Sequence, residues 1–239
     1  MAKEVIITAG KVRRRQKFGK VLKLAVLLLL VLLIVVYIVL RITFNVGSFV
    51  VTLGSNKDLE SGLAMFESLN DMTGKRWLKA ENLQFMDNIS IKWLPEDINK
   101  EAEGSHNGDN YIAYTFYIQN QGDIVINYWY NMFIDDVVKN VDEAIRIMIF
   151  LNEDVTVYAK GNSIDGEPEP DTKKFLSEKD GTIILEQRPN LQPGEYDRIT
   201  VVVWIEGDDP ECVDALIGGE LKMHMDITEE HPAAYKNGE

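Results

Sequence analysis

The chain has 239 residues, 46% of them hydrophobic, a single cysteine and a formal net charge of −13. Such acidity argues against nucleic acid as a partner, because phosphates would be repelled rather than neutralised. One cysteine, Cys212, excludes an intrachain disulfide framework, so the fold must stand on its core alone.

The charge is unevenly spread. Residues 1–23 carry eight basic residues against Glu4, a net of +7, whereas residues 42–239 carry sixteen basic and thirty-seven acidic residues, a net of −21. The basic tail 1–23 reads as too short and too charged to fold, with Arg13, Arg14 and Arg15 setting topology and attracting anionic lipid. Leu24 to Leu40, LAVLLLLVLLIVVYIVL, then runs for 17 residues without a charge, Gly or Pro. A helix of that length spans roughly 25 Å, and the flanking Lys23 and Arg41 can snorkel to match a bilayer core of about 30 Å. With no polar face at any phase, 24–42 is expected to be a transmembrane signal anchor. The segment after Arg41 offers no small-x-small cleavage site, which favours an uncleaved anchor over a secretory signal. Basic flanks stay on the cytoplasmic side, so the expected topology is single-pass in the cell membrane, N-terminus inside and acidic domain outside.

Residues 43–82 are expected to form a membrane-proximal strand, Thr43 to Leu53, and a short amphipathic helix near 58–70 built on Leu59, Leu63, Phe66 and Leu69. Beyond it the hydrophobic period becomes two. The predicted strands are 83–93, Tyr111 to Ile118, Ile124 to Ile134, Ile145 to Leu151, Val155 to Ala159, Thr182 to Gln187, Tyr196 to Glu206 and Leu221 to Ile227. Asn152-Glu153-Asp154 joins the clearest hairpin, and Pro95 to Asp109 and 160–181 read as loops. Short strands separated by Gly/Pro/Asp turns, with no βα alternation, predict a mainly β chain whose residues 83–227 form an antiparallel β-sandwich. Residues 228–239 read as a flexible tail.

Catalytic signals are sparse. His106, His224 and His231 stand in no metal-binding spacing, and neither a nucleophile elbow nor a phosphate loop is present. Cys212 reads as a small core thiol rather than a nucleophile. Two acidic clusters are candidates for Ca²⁺: Asp208, Asp209, Glu211 and Asp214, and Asp165, Glu167, Glu169 and Asp171. A hard cation wants six to eight oxygens, neither cluster has EF-hand spacing, and solvated acidic loops are the competing reading. No other cofactor is expected. Asn88-Ile89-Ser90 matches the glycosylation triplet, but its place inside an expected strand argues against use. The aromatic residues at 111–133 are expected to fill a core, with a carbohydrate or peptide platform as the alternative.

The phrases YIAYTFYIQNQGD (111–123), DEAIRIMIFLN with VTVYAK (142–160), LQPGEYDRITVVVWIEGDDPEC (191–212) and GGELKMHMDI (218–227) resemble the exported sandwich proteins of Gram-positive bacteria, a group that includes camelysin and the biofilm matrix fibre subunit. The resemblance covers roughly the last 130 residues. It implies a jelly-roll-like fold and a cell-surface setting, and supplies no site residues. The expected role is binding or assembly at the membrane surface, with lipid and a protein partner or a second copy as the contacts. An envelope metalloprotease of camelysin type and an accessory subunit of a membrane complex are the alternatives.

Overall fold

The computed structural model describes residues 9–43, 48–54 and 62–230, in two units, Met1–Asn45 and Val46–Glu239. The first unit contains one helix, α1, Ala9–Thr43. Its stretch Lys20–Tyr37 is long and apolar enough to cross a membrane, and every side chain in it is exposed. That combination is compatible with a membrane anchor or a signal sequence. The basic segment from Ala9 to Lys23 is helical rather than unfolded. Lys, Arg and Gln are good helix formers, and an adjoining apolar helix removes the nucleation cost of extending into them.

The second unit is mainly β. Its strands are β1 Phe49–Leu53, β2 Leu63–Phe66, β3 Trp77–Lys79, β4 Gly104–Ser105, β5 Tyr111–Asn120 and β6 Ile126–Val138, followed by β7 Ile145–Leu151, β8 Asp154–Ala159, β9 Lys173–Lys174, β10 Thr182–Leu191, β11 Tyr196–Ile205 and β12 Glu220–Glu230. They form a five-stranded sheet, β10-β6-β12-β1-β3, and a seven-stranded sheet, β2-β5-β11-β7-β8-β9, with β4 also on β5. Most neighbours are antiparallel, but β1 runs parallel to β12 and β9 parallel to β8. The sheets are therefore mixed, which corrects the purely antiparallel expectation. The segment before residue 83 is part of both sheets, through β1, β2 and β3.

Alternation along the long strands sends one set of side chains between the sheets. Phe49 and Val51 of β1, Tyr128 and Met132 of β6 and Met225 and Ile227 of β12 meet Tyr114 and Phe116 of β5, Ile147 of β7 and Val201 of β11 in one core. Phe49 and Tyr114 touch edge to face across it, with ring centroids 6.2 Å apart. The opposite faces of β5, β7 and β11 are buried as well. Ala113, Met148, Val202 and Trp204 pack there with Ile89 and Ile98, from the irregular segment between β3 and β4.

That segment corrects a second expectation, because 83–93 is not a strand. Only Ile89 makes a bridge, to Glu206, and Ile91–Trp93 is a 3-10 turn with Trp93 and Phe85 exposed. Of its alternating apolar residues only Ile89 is buried, against the outer face of the seven-stranded sheet. Third, Leu63–Phe66 is a strand and not part of a helix, while residues 55–61 of the expected helix lie outside the described set. All four residues are buried, Leu63 and Met65 in the inter-sheet core and Phe66 stacked on Tyr117 at 5.7 Å. A short apolar run buried on both sides carries no usable period. The expected break at Asp135-Asp136 is a register shift within β6, after which the strand rejoins β12. At the other end of β12 the strand runs to Glu230, and 231–239 lies outside the described residues.

Candidate functional site

The two ends of the inter-sheet core differ. At one end, where β5 finishes and β11 begins, polar side chains close the gap. Asp197 is 1% exposed and accepts from Tyr128 Oη at 2.8 Å and Asn152 Nδ2 at 2.7 Å, with Arg188 Nε at 3.0 Å. Asn120 Nδ2 donates to Leu191 O and Ile124 O.

At the other end the core opens into a cavity of about 390 Å³. Its walls are the first residues of β1, β5 and β7 and the last of β11, among them Phe49, Ile112, Ile145, Val203 and Ile205, with Met223 of β12. Two loops, 83–88 and 212–219, complete it. Asn88 Nδ2 donates to Cys212 Sγ at 3.3 Å, which ties the loops together, and Lys139 Nζ donates to Ile217 O at 2.5 Å. Gly219 has no room for a side chain, because a Cβ there would stand 2.7 Å from Val141 Cβ and 2.9 Å from Leu216 O. Apolar residues continue out to the rim, where Phe85 is 69% and Ile217 66% exposed. Asp87, Asp214 and Glu220 are the acidic residues of the lining.

Of the residues expected to bind Ca²⁺, only Asp214 lines this cavity, and the others are differently employed. Asp209 is buried and ion-paired with Arg146, and its Oδ1 accepts the Glu211 N–H at 2.7 Å. Asp208 accepts from Ser90 Oγ at 2.8 Å, and Glu211 Oε1 accepts the Ser163 N–H at 2.8 Å. Asp214 opens a 3-10 turn in the cavity wall. Asp165 Oδ1 accepts the Glu167 N–H, and Asp171 sits at positive φ. Among the described residues no three His, Cys, Asp or Glu are grouped so as to hold a metal ion. Because the carboxylates of Asp208, Asp209 and Glu211 already serve protein donors, Ca²⁺ should act no differently from Mg²⁺ at matched ionic strength, with melting shifts within about 1 °C of each other. A Ca²⁺-selective rise of many degrees, abolished by Asp208→Asn with Asp214→Asn, would overturn this.

His106 lies in a loop with Nδ1 3.0 Å from Gly104 O and Nε2 3.0 Å from Ile98 O, so it braces the outer cover. His224 faces outward from the five-stranded sheet, 2.7 Å from Asp135 and stacked on Phe133 at 4.8 Å. His231 is outside the described residues. Cys212 is half-buried in the cavity wall. Asn88 is exposed in a loop, so the strand-based argument against its triplet does not hold. Of the aromatic series, Tyr114, Phe116, Tyr128 and Tyr130 are core residues, whereas Trp129 faces out and donates to Glu230 Oε2 at 2.6 Å.

Sequence reasoning passed over Arg146, Asp197 and Glu206. Glu206 Oε2 accepts from Trp204 Nε1 at 2.9 Å and from the Ile91 N–H at 3.1 Å, while Oε1 accepts the Asp208 N–H at 3.2 Å. Each is a charge inside or beside an otherwise apolar strand, a usable signal, since buried charges need partners.

No known protein family matches this sequence, and no curated protein does. Among solved structures, a β-glucosidase from Kluyveromyces marxianus in complex with glucose aligns at 11% identity and a TM-score of 0.24. The alignment covers 68% of this chain but only 15% of that one. AvmM, which catalyses macrocyclization in alchivemycin A biosynthesis, aligns at 15% identity and a TM-score of 0.19, over 52% of this chain and 82% of its own. Scores this low carry no argument about fold or activity.

Proposed function

We propose that this is a single-pass membrane-anchored cell-surface protein whose extracytoplasmic, jelly-roll-like β-sandwich works by binding or assembly. The reading is carried by the cavity of about 390 Å³ left open at one end of the core. Its size falls in the range of about 300–1,000 Å³ common to small-ligand sites, and its lining has their mixture of many apolar and few polar groups. The anchor is supported by the fully exposed apolar stretch of α1, and the orientation by the +7 charge ahead of it. The sequence likeness to the camelysin group fits the same setting.

Protease shaving of intact cells that express the full chain tests the topology. The β unit should be digested while the N-terminal basic segment survives. Full protection of the β unit in unpermeabilised cells would overturn the proposal.

A further inference from the structure

We infer that the cavity takes one acyl chain of a phospholipid from the bilayer that α1 crosses. The inference rests on the anchored reading and names its ligand.

Volume is the first argument. A dry cavity of about 150 Å³ holds one benzene, so one of about 390 Å³ holds on the order of fifteen carbon atoms, which is one acyl chain. The walls fit that occupant. The lining includes the buried Ile145 and Val203 and the half-buried Ile112, and Met86 and Met223 can adapt around a chain of variable shape. Strand ends and loops surround the space, so an extended peptide would find no unpaired sheet edge for its main chain.

Position is the second argument. Ser48 lines the cavity and its carbonyl accepts the Met223 N–H at 2.9 Å. Ser48 stands five residues beyond Thr43, the last residue of α1. A lining residue of the cavity is thus close along the chain to the segment read as crossing the bilayer. The third argument is the rim. Phe85, Val213 and Ile217 are exposed there at 69%, 53% and 66%, large apolar side chains placed where an acyl tail would enter. Asp87, Asp214 and Glu220 beside them disfavour an anionic headgroup, so a zwitterionic lipid is the match.

The test uses the full chain in phosphatidylcholine vesicles containing a phosphatidylcholine with a diazirine at the end of one acyl chain. After irradiation, peptides are mapped by mass spectrometry. Adducts are expected in α1 and, separately, in the cavity peptides 83–88, 141–145 and 212–223. In the doubly substituted Phe85→Asp, Ile217→Asp protein, cavity adducts should fall about ten-fold, equivalent to about 1.4 kcal/mol, with α1 adducts unchanged. Both side chains are largely solvent-exposed, so the fold should survive. Adducts in α1 alone would overturn the acyl-chain assignment and leave the anchor standing. Adducts in neither, with no flotation alongside the vesicles, would overturn the anchored reading and this inference with it. Cavity adducts that the double substitution leaves untouched would mark non-specific labelling and also overturn the assignment.

Discussion

Raising the pH from about 8 to about 11 should remove on the order of 7 kcal/mol of stability and unfold the β unit. The cause is a set of five tyrosines, Tyr114, Tyr117, Tyr128, Tyr130 and Tyr158, none more than 6% exposed. Each hydroxyl donates to a carboxylate: Tyr114 to Glu67 at 2.5 Å, Tyr117 to Glu103 at 2.9 Å, Tyr128 to Asp197 at 2.8 Å, and Tyr130 and Tyr158 to the two oxygens of Glu186 at 2.8 and 3.3 Å. Burial, and then the neighbouring acid, push Tyr117 up to about 12. The same causes raise the other four further.

The folded state thus keeps protons that the unfolded chain releases near pH 10. With folded pKa values raised, the stabilisation is complete below about pH 10 and is lost as the pH climbs from there through the folded values. At about pH 11 each protected tyrosine accounts for about 1.4 kcal/mol, and the set rivals the total stability of an ordinary domain. Lys160, raised by Asp142 against the opposing effect of burial, adds in the same direction. The tyrosinate absorbance of these five tyrosines should therefore rise in one cooperative step coincident with loss of tryptophan fluorescence. Tyr114→Phe should reduce the steepness of the pH dependence by about one fifth, since Glu67 keeps Lys75 as a partner. Gradual ionisation of all nine tyrosines near pH 10 with the fold intact would defeat the argument.

What the sequence made legible follows the strength of local pattern. β7 and β8 were readable because IRIMIFL and VTVYA flank Asn152, which adopts positive φ at 58° and turns the hairpin. β5 and β11 were readable because long apolar runs ended at Gly and Asp turns, and they became the paired centre of the larger sheet. The parallel pairing of β1 with β12 was not, since Phe49 and Met223 meet across nearly the whole β unit and no local period encodes a partner. The segment 83–93 misled because an alternating apolar pattern fixes neither burial nor ladder pairing: Phe85, Ile91 and Trp93 are exposed and only Ile89 is buried. LAMF at 63–66 misled for the converse reason, being buried on both faces.

The site was less legible than the fold. Its wall is assembled from Phe49, loop 83–88, Ile112, Ile145, Val203 and loop 212–219, pieces whose separate sequences read as core or turn. A void is a property of how strand ends fail to meet, and no residue type marks it. The acidic turn 207–211 was conspicuous, yet its meaning depended on Arg146, over sixty residues earlier. A single arginine in IRIMIFL was the available clue.

That arginine carries the second large effect. Arg146 and Asp209 are each only 3% exposed as side chains, and Arg146 Nη2 is ion-paired with Asp209 Oδ2 while Nη1 donates to Ile145 O at 3.2 Å. The pair sits on the face of β7 away from the inter-sheet core, since its neighbours Ile145 and Ile147 point inward. Removing one partner strands the other charge out of water, so Arg146→Met should cost about 3–5 kcal/mol in chemical unfolding of the detergent-solubilised chain. Removing both should cost less. Arg146→Met with Asp209→Leu replaces the pair by apolar volume, and what remains lost is mainly the Asp209 Oδ1 bond to the Glu211 N–H, about 1 kcal/mol. The double variant should accordingly recover at least about 2 kcal/mol relative to Arg146→Met alone. Simple additivity of the two substitutions would show that the pair is not desolvated. The same turn leads into the loop that walls the cavity, since Asp209 O accepts the Cys212 N–H at 3.0 Å. Arg146→Met should therefore weaken acyl-chain labelling of 212–223 as well, and the double variant should restore it in step with stability.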